Sequence, residues 1–254
     1  MKDKKTAIII CSYNMWEWAD ALVEHIYKTV KVPYELIFVD NGSDIAEPSK
    51  YTNYWIPENV QMIPGFMAGF RFADSLYQDF YAYWMLTTSC KFNEDDKRDP
   101  LAKLLKVLED DDKAYAVQPS LTFNYGAWEK WLIPRQPPVS RRMFALENVC
   151  PLFRAKYFDE LGRFREELTL GWGISAEMYW KARKAGYHIY THDGYVMHKE
   201  TEIGYTMDRM GMDAKTRRKK ADQQSKDVLV PIYGVDYLNK LNSEYKVHGA
   251  GGEY

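Results

Sequence analysis

Thr87, Thr88, Ser89 and Cys90 stand in a row inside AYWMLTTSCKF, residues 82–92. The stretch begins as a buried strand and ends in small uncharged polar groups, where an α/β enzyme places its chemistry. Hydroxyls of this kind donate to and accept from phosphate or sugar oxygens, but they bring no negative charge with which to hold a hard dication. Other reactive side chains also fall at the ends of apolar runs. Ser12, Tyr13 and Asn14 follow TAIIIC, Asp40 follows ELIFV and opens DNGSD, and His198 follows YVM. Ligands of open α/β sheets bind outside the carboxyl ends of the strands, so these four clusters are expected to rim one crevice.

The elements that must position them are legible as alternating patterns. Residues 6–11 and 34–39 are short β-branched runs, and between them apolar residues recur at helical spacing from Glu17 to Val30, a βαβ unit with a parallel crossover. A third strand is expected at 59–64 and a helix over 65–78. The run from Ala82 is the fourth strand, a helix opens at Asp99-Pro100, and residues 114–118 are the fifth strand. Residues 128–142 are aromatic, proline-rich and basic, and read as a long loop. A strand over 149–154, helices over 155–161 and 176–184 stopped by Gly162 and Gly186, and short strands at 188–190 and 195–197 complete the pattern.

The whole chain, 254 residues with 46% hydrophobic content, suits one domain with a short appendage. Net charge of −2 gives no global attraction to nucleic acid or anionic lipid, so such a partner needs a local patch. The densest is KTRRKK at 215–220, five cations in six residues. The three cysteines are odd in number and widely spaced, which fits neither a disulfide framework nor a zinc quartet. The N-terminus MKDKKTAIIICSYN is too short in apolar residues for a signal segment or a membrane span, and a cytoplasmic protein is expected. The 20 Tyr and 8 Trp suit a cleft that stacks on rings of bases or sugars.

The segments IIICSYN, ELIFVDNGSD, GFMAGFRFA, CPLFRAKYFDELGRFREEL, GWGISAEMYWKARKAGY and YVMH, in this order across residues 6–198, resemble the family 2 glycosyltransferases of the GT-A fold. The resemblance implies an α/β fold with a mostly parallel central sheet flanked by helices over 1–205, and a C-terminal extension or lid over 206–254. It implies an inverting transfer from a nucleotide-diphosphate sugar, a UDP-sugar first, onto a hydroxyl of a glycan or other acceptor. The base of the donor would lie near Ser12, Tyr13, Asn14 and Asp40, with Arg71 over the base or phosphates and Thr88 and Ser89 near the diphosphate. Trp172 and Ser175 would face the acceptor, since an indole between glycines suits stacking on a sugar ring.

Two departures from the family follow. Where relatives carry an Asp-x-Asp or Asn-x-Asp pattern for Mn²⁺ or Mg²⁺, this chain has Thr87-Thr88-Ser89; His198 matches a third metal ligand. Three readings stay open: carboxylates at Glu94, Asp95 or Asp96 loop back, His198 supports an unusual metal site, or cations of the chain replace the metal. Arg135, Arg141 and Arg142, or the cluster at 215–220, are the candidates for the last. Where relatives carry the base aspartate the chain has Ser175, which leaves Glu177 as the catalytic candidate or else as a helix-dipole partner. The other function classes weighed are a non-catalytic binder of sugar nucleotides or glycans, a nucleotidyltransferase, for which CSYNMWEW lacks a glycine-rich basic loop, and a nucleic-acid acceptor lying on KTRRKK.

Overall fold

The structure, a computed structural model, is described for residues 4–45, 47–77, 79–123, 133–200 and 207–241. In chain order the elements are β1 (Thr6–Ser12), α1 (Trp16–Thr29), β2 (Tyr34–Asn41), β3 (Tyr54–Ile56), α2 (Met62–Leu76), β4 (Ala82–Thr87), β5 (Cys90–Phe92), α3 (Pro100–Asp110), β6 (Ala114–Phe123) and β7 (Ser140–Met143). They continue with β8 (Leu152–Arg154), α4 (Ala155–Glu160), α5 (Ile174–Lys184), β9 (His188–Lys199), α6 (Met207–Met210), α7 (Ala214–Tyr233) and α8 (Tyr237–Leu241). One nine-stranded sheet runs β3-β2-β1-β4-β8-β6-β9-β5, with β7 added to β9. Strands β1 to β4 are mutually parallel, β6 and β9 are parallel to each other, and β8, β5 and β7 pair antiparallel.

The alternation of side chains along each strand divides the core. Ala7, Ile9, Tyr83 and Met85 face one layer with Phe66 and Phe70 of α2; Ile8, Ile10, Trp84 and Leu86 face the other with Leu22 and Ile26 of α1 and Leu104 and Leu108 of α3. Both faces of the parallel strands are therefore buried, and each isoleucine removed from water contributes about 1.5–3 kcal/mol. Gly69 lets α2 lie directly on the sheet: a Cβ there would stand 2.7 Å from Ile9 Cγ2. Leu229, Tyr237 and Leu241 of α7 and α8 join the first of these layers, so the C-terminal helices pack on the same core.

Four sequence-based expectations are corrected. The third strand lies at 54–56 rather than 59–64, because Met62 opens α2 and Pro64, which lacks an N–H, fits a first helical turn. The two short strands at 188–190 and 195–197 are one strand, β9, which crosses Asp193-Gly194 without a break beyond a shift in register against β6. The fifth strand runs on to Phe123, and part of the expected loop forms β7; residues 124–132 of that loop lie outside the described residues. None of the three cysteines is in a disulfide. Among the described residues no helix is long and apolar enough to cross a membrane.

Candidate active site

The carboxyl ends of β1, β2 and β4 open into a cleft of about 600 Å³. Tyr13 and Met15 line it after β1, Asn41 at the end of β2, and Thr87, Thr88 and Ser89 after β4. Asn59, Gln61, Met62 and Phe66 bring the start of α2 to it, and Glu147 to Val149 bring the chain that enters β8. Leu170, Gly171, Trp172 and Ser175 form the wall before and within α5, Lys199 ends β9, and Met210, Ala214, Arg217 and Arg218 come from the C-terminal helices.

Asn41 builds one lip. Its side chain donates to Gln61 O at 3.0 Å and Asn59 Oδ1 at 3.2 Å and accepts from Val60 N at 3.1 Å, which holds the left-handed Gln61 in place. Tyr13, half-buried, donates to Asp44 Oδ1 at 3.3 Å and presents its ring to the cleft. Cys11 also lines the cleft, but burial first and the Asp40 charge second push its thiol up to about 12. It therefore stays protonated and is no nucleophile.

At the floor, Thr87 Oγ1 and Ser89 Oγ lie 3.2 Å apart, and Lys199 Nζ donates to Ser89 Oγ at 2.8 Å. The strands fix that contact, since β9 pairs with β5 and Glu200 N donates to Ser89 O at 2.9 Å. Mn²⁺ or Mg²⁺, which the sequence resemblance would imply here, does not fit this donor set. Hydroxyls alone do not offset its charge, and a dication at about 2.0–2.6 Å from Ser89 Oγ would stand within about 5 Å of the Lys199 ammonium. At that separation the repulsion is about 7 kcal/mol with an effective dielectric constant near 20. Among the described residues no group of three or more His, Cys, Asp or Glu is placed to hold a metal ion.

Opposite this floor stands the wall of α5. Gly173 caps the helix with φ of +84°, and a Cβ there would lie 2.6 Å from Ser225 Oγ and 2.7 Å from Leu229 Cδ1, so only glycine lets α7 dock on this turn. The docking brings Arg217 in: it is buried, and its guanidinium donates to Leu170 O at 3.1 Å. Trp172 leaves 43% of its surface exposed beside the cleft. Ser175 Oγ accepts from Asn148 Nδ2 at 3.0 Å, whose Oδ1 accepts from Tyr179 OH at 2.9 Å. Glu147, next to Asn148, is the one carboxylate among the described residues that line the cleft.

Glu177 is placed differently from the expected base. It is buried, outside the cleft lining, and its carboxylate accepts two-pronged hydrogen bonds from Arg165 at 2.6–3.1 Å and one from Tyr233 OH at 2.8 Å, with Lys181 Nζ at 3.4 Å. Burial raises its pKa, but the Arg165 and Tyr233 hydrogen bonds and the neighbouring charges outweigh this and hold it below the ordinary carboxylate value. A carboxylate so occupied is a structural anion.

The remaining expected residues divide. Tyr13, Thr88, Ser89, Trp172 and Ser175 come together at the cleft. Asp40 is buried, and its Oδ1 accepts from Ser43 N at 3.0 Å, the turn-forming use of an aspartate. Asn14 is buried and ties Asp44 and Arg209 O to the turn after β1, at 2.9 and 2.8 Å. Ser12 is buried beneath that turn. Arg71 pairs with Glu166 at 2.5 Å on the outer face of α2. Arg141 is buried against Asp193 at 2.8 Å, and Arg142 pairs in register with Tyr190, nine residues before Lys199 and so roughly 30 Å up the strand from the cleft. His198 Nδ1 lies 3.0 Å from Thr122 Oγ1, on the side of β9 away from Lys199.

Lys199, Glu147, Asn148 and Asn41 were not singled out for this site by sequence reading, whereas Arg217 and Arg218 belong to the cluster at 215–220 named as a phosphate clamp. Of the four, only Lys199 had a signal, its place directly after His198 at a strand end.

No protein-family model and no curated protein matches the chain. Solved structures do match in fold. The crystal structure of GalNAc-T7 with UDP, GalNAc and Mn²⁺ superposes with a TM-score of 0.64 at 13% identity, over 96% of this chain and 50% of that one. The crystal structure of S. aureus TarS does so with a TM-score of 0.58 at 11% identity, over 95% of this chain and 43% of that one. The chain thus spans half or less of the length of these proteins, and the architecture it shares with them is the GT-A fold.

Proposed function

We propose that the chain is a glycosyltransferase that moves a sugar from a nucleotide-diphosphate donor, a UDP-sugar first, to an acceptor hydroxyl by single displacement. The observation that carries this reading is the cleft of about 600 Å³ at the strand ends, with Lys199 at its floor, Arg217 and Arg218 on the α7 side, and an exposed tryptophan and, among the described residues, one carboxylate in its lining. The structure of GalNAc-T7 with UDP and GalNAc shares the fold and supports the donor class.

In this reading the nucleobase lies against Tyr13 near the β1 and β2 ends, the diphosphate reaches the Thr87–Ser89 turn, and the transferred sugar lies toward Trp172 and Ser175. Glu147 is the proton acceptor. Val149, two residues on, accepts from Thr87 N at 2.9 Å, and Asn148, one residue on, donates to Ser175. The carboxylate is therefore set between the donor floor and the acceptor wall. As the acceptor oxygen attacks the anomeric carbon, its proton passes to Glu147 and the bond from that carbon to the diphosphate oxygen breaks, with inversion at the carbon. Seating the base on the chain that enters β8 explains how Ser175 can stand where relatives carry an aspartate.

The absence of a carboxylate from Thr87-Thr88-Ser89 favours a second reading, a non-catalytic binder of sugar nucleotides. Release of nucleotide from UDP-sugars separates the two. Glu147→Gln is expected to lower turnover by about 10²–10⁴ with UDP affinity unchanged. Full turnover in that variant excludes Glu147 as the base, and a wild-type chain that binds UDP-sugars without turnover supports the binder.

A further inference from the structure

Resting on the nucleotide-diphosphate reading of the cleft, we infer that the diphosphate is neutralised by the chain's own cations, Lys199 of β9 with Arg217 and Arg218 of α7, and that no divalent ion takes part in holding the donor. The disagreement between the family's metal site and these residues is the starting point. At the end of β4, where the dication and its carboxylates belong in relatives, the structure places three uncharged side chains and an ammonium that donates to Ser89 Oγ at 2.8 Å.

The cation positions are built. Lys199 is the last residue of β9 and lies in register with Cys90 of β5, so its backbone is held by the sheet on the strand that carries Ser89's neighbour. Its side chain reaches across to the serine rather than into solvent. Arg217 enters the cleft from the opposite side, is buried, and keeps one nitrogen on Leu170 O. Arg218, the next residue, is exposed and also lines the cleft, so it meets the outer end of a ligand. An anion entering between Ser89 and α7 would be met from both sides by donors. Ammonium and guanidinium groups neutralise phosphoryl oxygens without asking for carboxylates, whereas a dication needs them.

The arrangement also couples donor binding to α7. Two of the three cations ride on a helix that docks through Gly173, with Asp213 Oδ1 accepting from Thr216 N at 2.7 Å as its cap. Phosphate held between β9 and α7 fastens that helix over the cleft.

The test is calorimetric titration of the full chain with UDP in EDTA and again in Mn²⁺. The affinities are expected to agree within about twofold, to fall as salt is raised, and to drop by about 10- to 100-fold in Lys199→Met. Arg218→Ala, at an exposed position, is expected to weaken binding as well while keeping the wild-type melting temperature. Binding that strengthens tenfold or more with Mn²⁺, or that is unchanged in both variants, would overturn the inference and leave the donor reading standing. If UDP, GDP, ADP, CDP and dTDP all fail to bind in either condition, the donor reading itself fails and takes this one with it.

Discussion

Glu177 shows how one carboxylate can be claimed by structure instead of chemistry. Its partners come from 12 and 56 residues away, Arg165 and Tyr233, and no local pattern announces them. Asp40 and Arg141 share that fate, one closing a turn and the other buried against Asp193. Tyr13, Thr88, Ser89 and Trp172 were legible because strand-end position and a flanking glycine are local properties. Glu177→Gln is expected to cost about 1–3 kcal/mol in urea unfolding, since Arg165 and Lys181 lose their shared anion. The pH dependence has a definite sign. The folded pKa is depressed, so the stabilisation is fully present above the unfolded value of about 4.3 and is lost as pH falls through the folded one. Melting curves should therefore bring wild type and Glu177→Gln together only as pH falls below about 4.3 and through the lower folded value, whereas a gap of constant size down to the acid transition would assign the loss to packing.

The strands β1, β2 and β4 were legible as elements because parallel strands buried on both faces read as unbroken apolar runs. Helix α7 was not. Its buried positions, Arg217, Ala221, Ser225 and Leu229, follow a four-residue spacing but only one is a large apolar residue, so the pattern looks like a solvated charged helix. Its docking partner is the bare turn at Gly173, which no helix pattern reveals. Gly173→Ala tests that contact. It combines a left-handed φ, about 1–2 kcal/mol, with a clash on Ser225 and Leu229, about 1–3 kcal/mol, and should weaken UDP binding by displacing Arg217 and Arg218. Gly186→Ala, with φ of +79° and no atom within 4 Å, is expected to show the first cost alone and wild-type binding. Equal losses in the two variants would remove α7 docking from the account.

On the scale of the whole molecule, a chain of net charge −2 gathers Lys199, Arg217 and Arg218 at one cleft. The sheet order explains how: β9 crosses from the far side to end beside β5 and Ser89, and the C-terminal helices return over α5. Fold class was open to sequence reading because motif order tracks strand order. The placement of the cations was not, because it depends on β9 being one strand and on the return of α7, and that of Glu147 was not, because it depends on how the chain entering β8 lies against β4 and α5. The most direct measurement of the central claim is titration of wild type and Thr88→Trp, whose indole would fill the cleft floor, with UDP and UDP-sugars. The account expects wild type to bind and Thr88→Trp to lose binding with its melting temperature unchanged. Equal binding by a folded Thr88→Trp, or none of the nucleotides by wild type, would contradict it.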